Sequence, residues 1–149
     1  MFKHILIPTD GSERSDKALR HGVALAAATG ARLTILTVSR PLHSLVGDPI
    51  SVGALPEEAR TFVHDYMTGD AEACLNAARA IADNAGVTSE TVRMEHEHVH
   101  QAVIEAANER GCDLILMASH GRSGLSAVLL GSETVKVLTH SKIPVLVYR

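Results

Sequence analysis

Met117-Ala118-Ser119-His120-Gly121-Arg122-Ser123-Gly124, with Gly131-Ser132 shortly after it, is the stretch whose reading decides the fold. It follows Leu114-Ile115-Leu116, an apolar run that reads as a buried strand, and precedes Glu133-Thr134-Val135, which reads as the opening of a helix. A strand that passes through a glycine-bearing loop into a helix N-terminus is where α/β proteins hold phosphates. Glycine lets backbone N–H groups approach a ligand closely, and the helix end adds unpaired donors and a partial positive charge. The loop is therefore expected to hold the phosphates of a nucleotide.

The flanking sequence supplies the frame. Lys3-His4-Ile5-Leu6-Ile7-Pro8-Thr9 reads as a first strand, and Asp10-Gly11-Ser12 as a turn with helix-start chemistry. Asp10 followed by Glu13 fits a capping box, and Ser12 is the alternative cap. Ala18, Leu19, Gly22, Val23, Leu25 and Ala26 share one helical face, and Gly30 ends that helix. Leu33-Thr34-Ile35-Leu36-Thr37-Val38 is a second strand, rich in branched side chains. Residues 39–55 carry Pro41, Gly47, Pro49 and Gly53 without a period, and read as an irregular, mobile surface excursion. From Pro56, a helical pattern runs through Phe62, Tyr66, Cys74, Leu75, Ala78, Ile81 and Ala82 to Gly86, with Gly69 as a potential break. Residues 89–95 alternate polar and apolar as a third strand, 101–110 form a helix, 113–118 a fourth strand, 132–139 a short helix and 143–148 a fifth strand.

Strands alternating with helices imply right-handed crossovers and a five-stranded parallel sheet covered on both faces, an α/β Rossmann-like three-layer sandwich. The first and fourth strands are the most continuously apolar and belong at the centre. The alternation of the third and the proline of the fifth suit edges. With the first and fourth as neighbours, the strand order reverses between them. Their C-terminal ends then frame the crevice where open α/β sheets bind ligands.

Bulk properties narrow the function. At 149 residues the chain is expected to form one domain spanning 1–149, and 46% hydrophobic with 21% charged residues is ordinary for a soluble protein. Aromatics at 3%, no tryptophan and a net charge of -3 leave neither a stacking surface nor an electrostatic footprint for nucleic acid. No run is long enough to cross a bilayer, no leader is evident, and a cytoplasmic location is expected. Cys74 and Cys112 have no metal spacing and read as reduced packing residues.

With these loops in hand, the chain resembles the universal stress protein family over essentially its whole length. The resemblance rests on Ile5-Leu6-Ile7-Pro8-Thr9-Asp10-Gly11-Ser12, on Asp113-Leu114-Ile115-Leu116-Met117-Ala118-Ser119-His120-Gly121, on Leu130-Gly131-Ser132 and on Pro144-Val145-Leu146-Val147. In that family the ATP-binding branch carries glycine, two residues, glycine, nine residues, then glycine with serine or threonine. Here Gly121, the nine residues 122–130 and Gly131-Ser132 keep the pattern, and Ala118 replaces its first glycine. The resemblance implies ATP as the cofactor, with magnesium where it accompanies the phosphates. It puts Asp10, after Pro8-Thr9, by the ribose or adenine, and Val38 against the adenine. It wraps Met117, Ala118, Ser119, His120, Gly121, Arg122, Gly131, Ser132, Glu133 and Thr134 around the phosphates. It also implies a homodimer paired through strand 143–148. The bottom-up chemistry agrees: a carboxylate at a strand end accepts from ribose hydroxyls, and Arg122 is able to pair with a phosphate.

Competing readings attach to the same residues. The glycines could serve geometry alone, Asp10 could be only a helix cap, and Ser132 and Thr134 ordinary helix-start hydroxyls. There is no Gly-x-x-x-x-Gly-Lys-Ser/Thr motif, so a regulator suits the sequence better than a fast catalyst. A slow ATPase or self-phosphorylating enzyme and a dimeric signalling module without ATP are the alternatives. His96, His98 and His100 alternate on an extended chain, and three imidazoles on one side could hold a transition metal. With no second group of ligands evident, they read instead as a polar strand end running into a helix.

Overall fold

The structure, a computed structural model, describes residues 1–121 and 130–149. Among these residues, the strands are β1 (His4–Pro8), β2 (Arg32–Ser39), β3 (Ser89–Glu95), β4 (Leu114–Ala118) and β5 (Val145–Tyr148). The helices are α1 (Glu13–Thr29), α2 (Leu42–Val46), α3 (Pro49–Ala54), α4 (Glu57–Asn84), α5 (Val99–Glu109) and α6 (Ser132–His140). All strand pairs are parallel, in the order β3-β2-β1-β4-β5. The expected centre and edges are borne out, and the order reverses between β1 and β4, where Ile5 pairs with Leu114 and Leu6 with Ile115.

Strand alternation splits the core into two layers. Ile5, Ile7, Leu33, Ile35, Leu114 and Leu116 face α1 and α4, meeting Leu19, Val23, Leu75 and Ala78. Leu6, Leu36, Ile115 and Met117 face the other way, onto Val103 and Ala106 of α5 and Val137 of α6. Both faces of β1 and β4 are thus buried, which is why these strands read as unbroken apolar runs. Cys112 is buried and unpaired, and burial pushes its thiol up to about 11, as suits a packing residue.

A polar chain that begins at buried His4 and Thr34 and ends at partly exposed Glu90 ties three strands together at the opposite end of the sheet. Thr34 Oγ1 donates to Glu90 Oε1 at 2.7 Å, so His4 Nε2, 2.8 Å from the same hydroxyl, must be the donor to it. His4 Nδ1 finds no partner. Burial, with Arg32 second, lowers the imidazole pKa and favours the neutral ring.

Two local expectations need correction. Ser12, not Asp10, caps α1: its hydroxyl accepts from Ser15 N at 3.2 Å, while Asp10 Oδ1 accepts from Ser12 N at 3.0 Å to form the turn before it. Residues 39–55 are not irregular but carry α2 and α3. Helices of five and six residues are too short to display a period. Gly47 ends the first with φ 101°, and the Asp48 side chain caps the second through Ser51 N. Phe62 and Tyr66 lie in α4 as the helical pattern expects, and they are 71% and 69% exposed. At 28 residues α4 is about 42 Å long, well beyond the strands it covers, and its buried residues begin only at Ala71.

Gly69 does not break α4, and a Cβ there would meet nothing within 4 Å. Gly69→Ala removes the glycine penalty without a clash. It should therefore stabilise the chain by about 0.5–1 kcal/mol, a rise of roughly 2–4 °C in melting temperature by calorimetry.

Candidate functional site

At the reversal, the chain leaving β1 (Thr9-Asp10-Gly11) and the chain leaving β4 (Ser119-His120-Gly121) come into contact. A Cβ on Gly121 would lie 2.7 Å from Asp10 Oδ2. Only a glycine lets the carboxylate come so close to the second loop. The Asp10 carboxylate is held from its own side by Ser12 N, through the other oxygen.

The β4 loop is closed at its base. Gly131 N donates to Ser119 O at 2.8 Å, and a Cβ on Gly131 would sit 3.1 Å from that oxygen and 3.4 Å from His120 Cα. Thr134 Oγ1 lies 3.1 Å from Ala118 O and 3.2 Å from Ser119 O and donates to this pair of carbonyls. Ser119 N is anchored to Tyr148 O of β5 at 2.8 Å. Ser119 and His120 are buried, with His120 Nδ1 3.1 Å from Ser119 Oγ. Gly131 caps α6 without a side-chain hydrogen bond, so the first-turn N–H groups face the loop region as donors.

The expected site residues divide by what they do. Pro8 ends β1 and Thr9 is buried behind it. Thr9 Oγ1 accepts from Gly11 N at 3.3 Å and meets Ser15 Oγ at 3.2 Å. Thr9, Asp10, Ser119, His120, Gly121, Gly131 and Thr134 converge on the crevice through the contacts above. Met117 is buried against α5 and α6, and half-buried Val38 packs near the end of β2 on the same layer. Ala118 keeps its methyl in the opposite core layer, 8% exposed, so the alanine that replaces a glycine is spent on packing. Ser132 is exposed at the first turn of α6. The carboxylate of Glu133 is committed elsewhere: it accepts from His100 N at 2.8 Å and lies 3.1 Å from both His100 Nδ1 and Lys136 Nζ. Its burial would raise its pKa, but hydrogen bonds from Lys136 and His100 outweigh that and keep it below the usual carboxylate range. Arg122 lies outside the described residues.

Sequence reasoning missed the braces behind the first loop. Thr37 Oγ1 donates to Thr9 O at 3.0 Å, and Cys74 Sγ sits 3.9 Å from Thr9 Oγ1 and 3.8 Å from Thr37 Oγ1. It also missed an opening of about 380 Å³ beside Ser119 and His120, walled by Arg14, Lys17, Tyr148 and Arg149. No local pattern marks either, because they join residues from distant elements. Among the described residues, no helix is long and apolar enough to cross a membrane.

The reversal of strand order, the Asp10–Gly121 contact and the closed loop define a Rossmann-like α/β protein with a candidate site at the switch point. The chain belongs to the universal stress protein family, whose model matches residues 1–149. It is 34% identical over 149 residues to the universal stress protein YxiE of Bacillus subtilis, covering all of both chains. The solved structure of MJ0577, a universal stress protein of Methanocaldococcus jannaschii, superposes with a TM-score of 0.81 at 29% identity, over 99% of this chain and 95% of that one. A universal stress protein solved in complex with cAMP superposes with a TM-score of 0.72 at 28% identity, over 99% and 97%.

Proposed function

We propose that this chain binds an adenine nucleotide, ATP with magnesium first among them, in the crevice between β1 and β4, and that it acts in the cytoplasm as a dimeric regulator of a stress response rather than as a fast catalyst. The observation that carries this reading is the approach of Asp10 to Gly121, which puts a carboxylate for ribose hydroxyls beside a glycine loop for phosphates. Val38 at the end of β2 offers an apolar surface for the base. The first turn of α6 offers N–H donors for the phosphates, with the hydroxyl of Ser132 alongside. The relative solved with cAMP supports an adenine nucleotide as the ligand class. Glu133, engaged by His100 and Lys136, is left to position α6 rather than to meet the ligand.

Calorimetric titration of ATP with magnesium, and of cAMP beside it, tests the reading. Wild type should bind ATP, and Ala118→Gly should bind within about threefold of it, because that methyl lies in the core. Gly121→Ala should lose at least about tenfold in affinity, since its methyl displaces the Asp10 carboxylate. Binding by Ala118→Gly alone would mean one methyl closes the pocket in the natural chain, and no binding by either protein would end the nucleotide reading.

The dimer is proposed to form through β5, an edge strand whose Leu146 is 41% exposed. An unpaired apolar edge is a template for a second copy across a two-fold axis. In sedimentation, the chain should run at twice its 15.9 kDa, and Leu146→Lys should shift it toward monomer. A wild-type monomer at every accessible concentration would contradict this pairing.

A further inference from the structure

Behind the crevice, the residue before Asp10 is held at each of its polar atoms. β1 pairs with β2 only as far as Pro8 with Leu36. Thr9 N still donates to Leu36 O at 2.8 Å, but the Thr9 carbonyl lies beyond the ladder. It takes its hydrogen bond from a side chain instead: Thr37 Oγ1, on β2, donates to it at 3.0 Å. A carbonyl only accepts, so the single hydroxyl proton of Thr37 is committed to it. Both residues are buried, so water does not readily replace that bond once it is lost.

The Thr9 hydroxyl ties the same residue to α1. Ser15 Oγ donates to Ser12 O at 3.0 Å, so it accepts from Thr9 Oγ1 at 3.2 Å. Thr9 Oγ1 in turn accepts from Gly11 N at 3.3 Å. The peptide joining Thr9 to Asp10 is planar, so the direction of its carbonyl sets the direction in which the chain enters Asp10. Beyond that peptide, Asp10 Oδ1 accepts from Ser12 N at 3.0 Å and Oδ2 lies against the Gly121 loop. Thr37 is therefore one peptide unit from the carboxylate, on its buried side.

We propose that Thr37 is a positioning residue of the nucleotide site: its hydroxyl fixes the peptide before Asp10, and through it the carboxylate that meets the ribose. This rests on the nucleotide reading above. One strand then serves both ends of the nucleoside. Thr37 and Val38 are neighbours on β2 with side chains on opposite faces, Thr37 toward Thr9 and Cys74, Val38 toward the layer of α5 and α6. Val38 gives the base an apolar surface, and Thr37 aims the group that takes the sugar. The requirement is for the hydroxyl: serine keeps the donor, whereas valine keeps the shape and loses it.

The test is calorimetric titration of ATP with magnesium into Thr37→Val, Thr37→Ser, Asp10→Asn and the Thr37→Val/Asp10→Asn double variant, with circular dichroism reporting that each folds. Thr37→Val should bind ATP at least about fivefold more weakly than wild type, and Thr37→Ser within about twofold of it. Because Thr37 acts through Asp10, the double variant should bind no more than about twofold more weakly than Asp10→Asn alone. Wild-type affinity in Thr37→Val would overturn the proposal. So would a loss in Thr37→Ser as large as that expected for valine, or a double variant whose loss is the product of the two single losses. Hydrogen exchange in the ligand-free chain separates the proposal from the nucleotide reading. The Ser12 amide, held by Asp10, should exchange at least about tenfold faster in Thr37→Val and at the wild-type rate in Thr37→Ser. If wild type binds no nucleotide, the nucleotide reading fails. Faster exchange at Ser12 would then still support Thr37 as the residue that aims Asp10, and unchanged exchange would overturn that role as well.

Discussion

Two loops from non-adjacent stretches of chain meet where one carboxylate, Asp10, reaches a glycine, Gly121. That contact exists because β1 and β4 are neighbours from which the chain departs in opposite directions. Everything around it protects the approach. Gly131 pins the far end of the second loop to Ser119, Thr134 grips the carbonyls of Ala118 and Ser119, and Thr37 fastens Thr9 from β2. A carboxylate held by the backbone of Ser12 on one side and set close against Gly121 on the other is positioned, and positioning is what a polar ligand site requires.

The centre of the fold was legible because its physics is local. Strands buried on both faces must be apolar throughout, so β1 and β4 announced themselves. A polar alternation in β3 and a proline next to β5 marked the edges. The glycines were legible through the family pattern, and the structure gives each a neighbour: the Asp10 carboxylate for Gly121 and the backbone of Ser119 and His120 for Gly131. What remained hidden depends on length or on distant partners. The helices within 39–55 are shorter than the window in which a period shows. The overhang of α4 follows from the size of the sheet, which Phe62 and Tyr66 cannot report.

The side chains of the site were harder to assign than its backbone. Glu133 looked like one more phosphate-loop residue, but α5 delivers His100 and α6 delivers Lys136 to its carboxylate. Ala118 stands where the family pattern has its first glycine, and its methyl belongs to the core layer under α1 and α4. Cys74 comes from a helix far along the chain to sit behind Thr9 and Thr37. In each case the partner lies on another element, and only the topology brings the two together. The histidines make the same point, since the pattern in 96–100 acquires a fourth ring only once α6 is laid against α5.

The central claim is that a nucleotide lies across the β1–β4 crevice. Amide chemical-shift mapping of the isotope-labelled chain during ATP and magnesium addition tests it most directly. The account predicts the largest shifts at Gly11, Gly121 and Gly131, with smaller ones at Val38 and in the first turn of α6. Shifts concentrated at Arg14, Lys17, Tyr148 and Arg149, with Gly121 and Gly131 unmoved, would put the ligand in the neighbouring opening and contradict it.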